Sequence, residues 1–215
     1  MKRFLTIVLV SLVAMISGHE LSAQHNFGVV GGFSFTNSND NNANIGTMTR
    51  YNAGLTYQLR LPLGFSIQPS LIYHAKSANM KNVSGVDGNL RTNCGYVELP
   101  VSVQWGPDFV LFRPFLDVTP FVGYGVNASV SAANGPSTRK WDDTGLNRWE
   151  YGVGLGVGLE IWRFQIIGRY NWNLGNLMDF KNVPDNEIAP LMKDAWHNRN
   201  YGGITLTVSF MFTSK

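Results

Sequence analysis

The sequence predicts an all-β protein, an eight-stranded antiparallel up-and-down transmembrane β-barrel. Apolar and polar residues alternate with period two along most of the chain, which is the pattern of a strand with one apolar face. Charged residues make up 14% of the chain, against roughly 25% in ordinary soluble domains. The mean hydropathy is nevertheless only −0.06, which excludes a bundle of apolar helices.

The first 23 residues are predicted to be a signal peptide. Lys2 and Arg3 precede an apolar stretch at residues 4–16, which is shorter than the ~20 apolar residues of a transmembrane helix. We expect cleavage after Ala23, so that residues 24–215 form the barrel domain. An uncleaved anchor is the alternative. No later stretch has 18 consecutive apolar residues. The mature chain would therefore cross a membrane only as a closed sheet, in which every backbone polar group has a partner.

The alternation predicts eight strands. The clearest runs through residues 149–162, where glycines recur on one face and large apolar residues on the other. The remaining seven are predicted at residues 27–35, 51–60, 65–74, 96–105, 115–126, 163–174 and 204–212. Pro100 and Pro120 lie inside predicted strands, and we expect local bulges there because proline cannot donate a ladder hydrogen bond.

The predicted connections alternate in length. Short turns follow Arg60, Trp105 and Ile161, whereas long polar loops are predicted at residues 37–49, 75–92, 130–147 and 175–199. Short turns at one end and long loops at the other are typical of outer-membrane barrels. An even number of strands places both termini at the short-turn end, which is the periplasmic end.

Three features favour an apolar face that points outward, into lipid. Glycines 152, 154, 156 and 158 suit the narrow interior of an eight-stranded barrel. Strands of ~10 residues span the apolar band of the membrane. Aromatic residues begin and end the apolar faces, forming two predicted girdles: Tyr51, Tyr73, Trp149 and Trp172 near the long loops, and Phe65, Trp105, Phe164 and Phe212 near the short turns. A soluble barrel and a β-sandwich are the alternatives.

The chain resembles the PorT-like family of outer-membrane β-barrel proteins. Four segments carry the resemblance: YVELPVSVQWG (96–106), RPFLDVTPFVGYGV (113–126), YGVGLGVGLEIWRFQIIGRYNWNLGNL (151–177) and YGGITLTVSFMF (201–212). The resemblance implies an integral outer-membrane protein of a Gram-negative bacterium. One family member takes part in a protein secretion and gliding system, and no residue here transfers that role. Phe212 resembles the terminal aromatic that the barrel-assembly machinery reads, although three residues follow it.

Seven charged residues are predicted by parity to face the lumen. Because a charge in a narrow, poorly hydrated interior needs a partner, we expect Glu98 and Arg169 to pair across the barrel and help to plug it. The alternative is a proton or ion path. The seven residues are Arg60, Glu98, Asp117, Glu150, Glu160, Arg163 and Arg169.

Other residues give weaker evidence for a functional site. Trp141 and Trp196 stand in polar loops and could anchor a partner or fold back on the barrel rim. A lipid-modifying enzyme would need a hydroxyl nucleophile with a base, but no spacing ties His74 or His197 to a serine, and His74 is predicted at a loop base. The single cysteine excludes a disulfide within the chain and a cysteine-based metal site.

The sequence thus predicts a structural or interaction protein of the outer membrane, and a place within a secretion or envelope assembly is one expectation. A narrow channel and a lipid-modifying enzyme are the alternatives. We expect no catalysis, no cofactor and no metal. Without residues 1–23 the chain keeps 15 of its 17 basic and 13 of its 14 acidic residues, so nucleic acid is not expected. The expected partners are membrane lipid, the barrel-assembly machinery and other envelope proteins.

Overall fold

The computed structural model describes residues 24–36, 48–81, 89–133, 135, 137–175 and 202–213. The predicted signal peptide, most of the first and fourth predicted long loops, Trp196 and His197 lie outside these ranges. Within the described ranges, no helix is long and apolar enough to cross a membrane.

Within the described ranges, eight long strands and one very short strand make up the sheet. Their bounds are β1 Gln24–Thr36, β2 Met48–Arg60, β3 Phe65–Lys81, β4 Asn89–Trp105, β5 Phe112–Ala132, β6 Ser137–Thr138, β7 Trp149–Ile161, β8 Phe164–Asn173 and β9 Gly202–Thr213. Two 3₁₀ turns lie at Pro62–Gly64 and Trp141–Asp143.

The eight long strands close into an antiparallel up-and-down barrel. Each pairs with the next long strand along the chain, β5 with β7 included, and β1 pairs with β9 to complete the ring. The two-residue strand β6 pairs back onto the end of β5 and lies outside the ring. The predicted fold class and strand number are confirmed.

Three strands run well beyond their predicted ends. β3 continues to Lys81 and β4 begins at Asn89, so the predicted loop at 75–92 is wrong over most of its length. β5 likewise continues to Ala132, inside the third predicted loop. In these extensions the inner positions stay buried, Lys76 and Thr92 among them, but the outer positions carry polar residues, so the apolar–polar alternation fades although the hydrogen-bond ladder continues. Ser77 and Asn93, for example, still face each other across the β3–β4 ladder.

The prolines do not produce the predicted bulges. The register is constant across Pro69, Pro100 and Pro120, and each proline keeps its pairing with one neighbouring strand but drops out of the ladder with the other. A residue of an antiparallel strand directs its N–H toward one neighbour only, so proline weakens one ladder without shifting it. The register shift between β4 and β5 falls instead at Gly95 and Tyr96.

The barrel carries its apolar residues outside and its polar residues inside. Val157 on β7 is 62% exposed, whereas glutamines 58, 104 and 165 are completely buried. The residues of both predicted aromatic girdles lie on the exposed face. An apolar surface that surrounds the whole molecule far exceeds the patches of a few hundred Å² that soluble monomers tolerate.

The glycines of β7 make room for large side chains in the lumen. A Cβ atom at Gly158 would collide with the ring of Phe115, and one at Gly152 with the ring of Phe121. At Gly154 the added atom would meet the side chain of Arg169. The small residues of this strand are therefore needed because large side chains of the neighbouring strands β5 and β8 lie over them.

We predict that Gly158→Val destabilises the folded barrel by ~1–3 kcal/mol, the usual cost of overpacking. The urea midpoint of the protein folded in detergent micelles, followed by tryptophan fluorescence, measures this change. The outward-facing Val157→Leu is the matched control and should leave the midpoint nearly unchanged. An unchanged or higher midpoint for Gly158→Val would show that the lumen is not crowded at this position.

Candidate functional site in the barrel lumen

Buried charges form three layers along the lumen. The lower layer lies near the short turns, the middle layer at the centre of the barrel, and the upper layer toward the long-loop end. Each layer joins side chains from strands that are not neighbours in the sheet, so each one bridges the lumen.

The lower layer is centred on Glu160 of β7. Its carboxylate contacts the guanidinium of Arg60 on β2 and lies 3.6 Å from Nη1 of Arg113. Gln58 Nε2 donates to the second carboxylate oxygen at 3.3 Å. Arg113 also contacts Asp108 of the short β4–β5 turn, with 3.2 Å between Nε and Oδ1. Arg113 was missed by the sequence prediction, although extending the parity of Asp117 back along β5 would have found it.

The middle layer joins Asp117 of β5 to Arg169 of β8. Arg169 Nε donates to Oδ2 of Asp117 at 2.7 Å, and its Nη2 donates to Ser102 Oγ at 2.9 Å. Ser102 in turn donates to Oδ1 of Asp117 at 2.6 Å, and Thr119 donates to Oδ2 at 2.9 Å. The buried carboxylate thus has several donors, which offset its desolvation.

The upper layer joins Lys76 of β3 to two carboxylates. Its Nζ lies 2.5 Å from Glu150 and 2.9 Å from Glu98, and it sits 4.5 Å from the ring centroid of Tyr96. His74 Nδ1 lies 2.8 Å from the same Glu98 carboxylate. The sequence prediction missed Lys76 because it ended this strand at His74.

Two predicted details are wrong. Glu98 pairs with His74 and Lys76 rather than with Arg169, whose carboxylate partner is Asp117. The stagger between strands sets which residues share a level, and parity alone does not reveal it. Arg163 is not in the charge network of the described residues: it lies in the β7–β8 turn, with its guanidinium 5.1 Å from the ring centroid of Trp162.

His74 lies inside the barrel rather than at a loop base. It is buried on β3, seven residues before the end of that strand. Its Nε2 atom is 3.2 Å from Ser34 Oγ on β1. The structure therefore brings a serine to a histidine that no spacing in the sequence connects to it.

Trp141 closes part of the outer mouth of the barrel. It is 6% exposed, donates from Nε1 to the carbonyl of Leu146 at 2.8 Å, and meets the ring of Tyr96 edge-on at 5.5 Å. Gly125 leaves room for it, because a Cβ there would collide with the indole. Of the two interpretations of Trp141, the structure shows the one in which it folds back on the barrel rim, and the partner anchor is wrong because a buried indole has no free face for a partner. Trp196 lies outside the described residues.

An ion pair between Arg148 and Asp142 lies next to the Trp141 ring. Arg148 Nη2 donates to Asp142 Oδ1 at 2.9 Å, and the guanidinium lies 5.6 Å from the ring centroid of Trp141. The hydrogen bond from Arg148 to Asp142 and the charge of that carboxylate raise the pKa of Arg148. Arg148 therefore stays charged over the whole physiological range.

We predict that Lys76→Met destabilises the barrel by ~3–5 kcal/mol, because it leaves Glu98 and Glu150 buried together without the shared ammonium. Chemical unfolding in micelles measures the loss. The double variant Lys76→Met/Glu150→Gln should recover part of it, because one of the two charges is gone. Arg163→Met, which removes a cation from the β7–β8 turn, is the control. A loss no larger than the control's would show that Lys76 does not neutralise this pair.

Two solved structures resemble the chain at low identity. One is Neisserial surface protein A (NspA), at 14% identity with a TM-score of 0.46, covering 89% of this chain and 99% of that one. The other is Ail, the attachment invasion locus protein of Yersinia pestis, in complex with the heparin analogue sucrose octasulfate. It is 12% identical with a TM-score of 0.45, covering 88% of this chain and 99% of the other. No curated protein matches the chain.

A family match covers most of the sequence. The family described as "Outer membrane protein beta-barrel domain" matches residues 21–179, a range that runs from just before β1 to just after β8. The match agrees with the closed antiparallel barrel and with its continuous apolar exterior. The chain belongs to this outer-membrane β-barrel family and resides in the outer membrane.

Proposed function

We propose that the protein is a closed, non-conducting barrel that serves the outer membrane as a structural and interaction scaffold. The observation that carries this proposal is the set of three charge layers that cross the lumen. In a ring of eight strands, β2 and β7 lie on opposite sides, so the contact between Arg60 and Glu160 spans the full width of the interior.

Hydrogen bonds fill the space between the lower and middle layers. Gln104 Nε2 donates to Gln68 at 3.0 Å, and Gln165 Nε2 donates to Gln104 at 3.3 Å. Gln104 and Gln165 come from β4 and β8, which are not neighbours, and both side chains are fully buried. A lumen filled in this way supports a scaffold better than a pore.

A narrow path for water or protons is the second candidate. Two small cavities lie side by side in the lumen and share Arg169 as a lining residue: one of about 60 Å³ in the upper half, and one of about 30 Å³ at the level of the middle layer. A volume of ~10–15 Å³ holds one water, so both cavities have room for water. The lower layer separates them from the short-turn end.

The proposed partners follow from the two ends and the seam of the barrel. Outer-membrane lipid covers the apolar exterior, and the long-loop end would meet envelope proteins. The resemblance to PorT-like proteins supports a role within a secretion or envelope assembly. The barrel-assembly machinery would read β9, whose Phe212 faces Phe27 of β1 at the seam where the ring closes.

We predict that the purified barrel produces no large, steady single-step currents in planar lipid bilayers. Replacing all six members of three layer-forming pairs by serine should open a measurable leak, because the side chains that bridge the lumen are gone. The pairs are Arg60 with Glu160, Asp117 with Arg169, and Lys76 with Glu150. Uniform steps from the wild-type protein would contradict the closed scaffold and favour the channel.

We predict that Phe212→Ala lowers the amount of protein that reaches the outer membrane, because it removes the aromatic near the end of the last strand. Phe210→Ala is the matched control, since it removes a second aromatic two positions earlier on β9. Quantitative blotting of membrane fractions measures assembly, and urea unfolding in micelles measures stability. Equal membrane levels of the two variants at equal stability would contradict a signal at Phe212.

A further inference from the structure

We propose that Ser34, His74 and Glu98 form a nucleophile–base–carboxylate relay that takes a short acyl group from an ester and releases it to water. This activity goes beyond the proposed scaffold role, and it departs from the expectation of no catalysis that the sequence raised. The relay is inferred from side-chain contacts in the upper half of the lumen.

The three side chains come from three strands and meet in one line. Ser34 Oγ on β1 lies 3.2 Å from Nε2 of His74 on β3, and Nδ1 of the same ring lies 2.8 Å from Oε1 of Glu98 on β4. All three residues are buried. A serine bonded to one ring nitrogen and a carboxylate bonded to the other is the arrangement that activates a hydroxyl nucleophile.

The bonding partners fix the direction of the relay. An ionised carboxylate only accepts hydrogen bonds, so Nδ1 of His74 carries the proton and donates it to Glu98. In the neutral imidazole the other ring nitrogen, Nε2, holds a lone pair, and the Ser34 hydroxyl donates to it. Lys76 Nζ lies 2.9 Å from the same carboxylate and forms an ion pair with it. The ring is thus held in the tautomer that a general base requires.

A second chain of hydrogen bonds orients the serine from the opposite side. Asn171 Nδ2 donates to Thr205 Oγ1 at 2.7 Å, and Thr205 Oγ1 lies 2.9 Å from Ser34 Oγ. The Thr205 hydroxyl is therefore free to donate to Ser34, whose own proton points to His74. Both contacts hold the serine oxygen in one place, which a nucleophile needs.

A cavity adjoins the relay and has mixed walls. It measures about 60 Å³ and is lined by Ser34, His74 and Glu98, by apolar Ile72, Pro100 and Phe121, and by polar groups that include Asn52 and Arg169. At ~10–15 Å³ per water, the space accepts an acyl group of a few heavy atoms. The apolar wall suits its alkyl part, so the substrate class is an ester of a short carboxylic acid.

Asn52 indicates where a polar group of the ligand would bind. Its side chain is buried, and its Oδ1 atom has no hydrogen-bond partner among the described residues. A buried amide oxygen without a partner destabilises the fold, and a hydroxyl donor in the cavity would satisfy it. The alcohol released in acyl transfer and the water that follows it are both such donors.

The acyl transfer and the hydrolysis that follows it need no cofactor. Ser34 Oγ attacks the ester carbonyl carbon while its proton passes to Nε2 of His74, and the carbon–alkoxide bond then breaks as the alkoxide takes that proton. Water next attacks the acyl-serine, giving one proton to Nε2 and breaking the bond to Ser34 Oγ. The proton returns from Nε2 to Ser34, and a carboxylic acid leaves. Ser34 and His74 touch the reacting atoms, whereas Glu98 is a positioning residue.

Purified full-length barrel folded in detergent micelles, treated with p-nitrophenyl acetate, tests the proposal. We expect peptide mass spectrometry to find an acetyl group on Ser34 and nitrophenolate release that Ser34→Ala abolishes. His74→Gln should slow acetylation of Ser34 by at least ~100-fold, the usual contribution of a general base. Ser66→Ala, which removes a buried serine eight positions from His74 on the same strand, should leave it unchanged.

Two substitutions test whether the relay needs a negative charge at position 98. Glu98→Asp should retain part of the acetylation rate, whereas Glu98→Gln should lose most of it, although both variants disturb the packing. The gel shift between boiled and unboiled samples shows that each variant is folded.

Acetyl groups confined to other residues, or Ser34 acetylated equally fast in wild type and His74→Gln, would overturn the relay. Mapping the acetylated residues of the wild-type protein by mass spectrometry tests the first of these outcomes even where a variant fails to fold. Neither result affects the conductance test of the closed scaffold, so the two proposals fail separately.

Discussion

The cost of removing charges from water inside a narrow barrel governs the rest of this structure. An eight-stranded ring leaves an interior just wide enough for side chains, so every ionised group in it must find its counter-charge within a few ångströms. Glu160, Asp117 and Glu98 each lie against at least one cation. Because Arg60 and Arg169 come from strands that are not neighbours of those carrying Glu160 and Asp117, the contacts that neutralise these two charges also close the barrel.

The glycines of β7 and the charge layers depend on one another. Large side chains such as Arg169 and Phe115 extend over β7 only because that strand presents no Cβ at the facing positions. The exterior obeys the opposite rule, and its bulky apolar residues are uniform in character because lipid distinguishes little among them. The period-two pattern of the sequence therefore reflects two environments, lipid outside and the packed lumen inside. The lumen is the more selective of the two for particular side chains.

The sequence was sufficient to predict the strand number, the antiparallel ring and the orientation of its faces, since each follows from local alternation. It was not sufficient to predict the pairs. The partner of Glu98 depends on strand stagger, and Lys76 lies past the point where the apolar signal of β3 fades. The contact between Ser34 and His74 crosses a whole intervening strand. No spacing rule within a single chain reports such a distance, which depends on how strongly the barrel wall curves.

The unequal lengths of the strands shape the outer rim. β3 and β4 have 17 residues each and β5 has 21, whereas β8 has 10. At ~3.3 Å per residue, β3, β4 and β5 are each longer than β8 by tens of ångströms of chain. The backbone hydrogen bonds between β3, β4 and β5 therefore continue well past the level at which β8 ends, and this extended part of the wall carries Lys76 and Tyr96 of the upper layer.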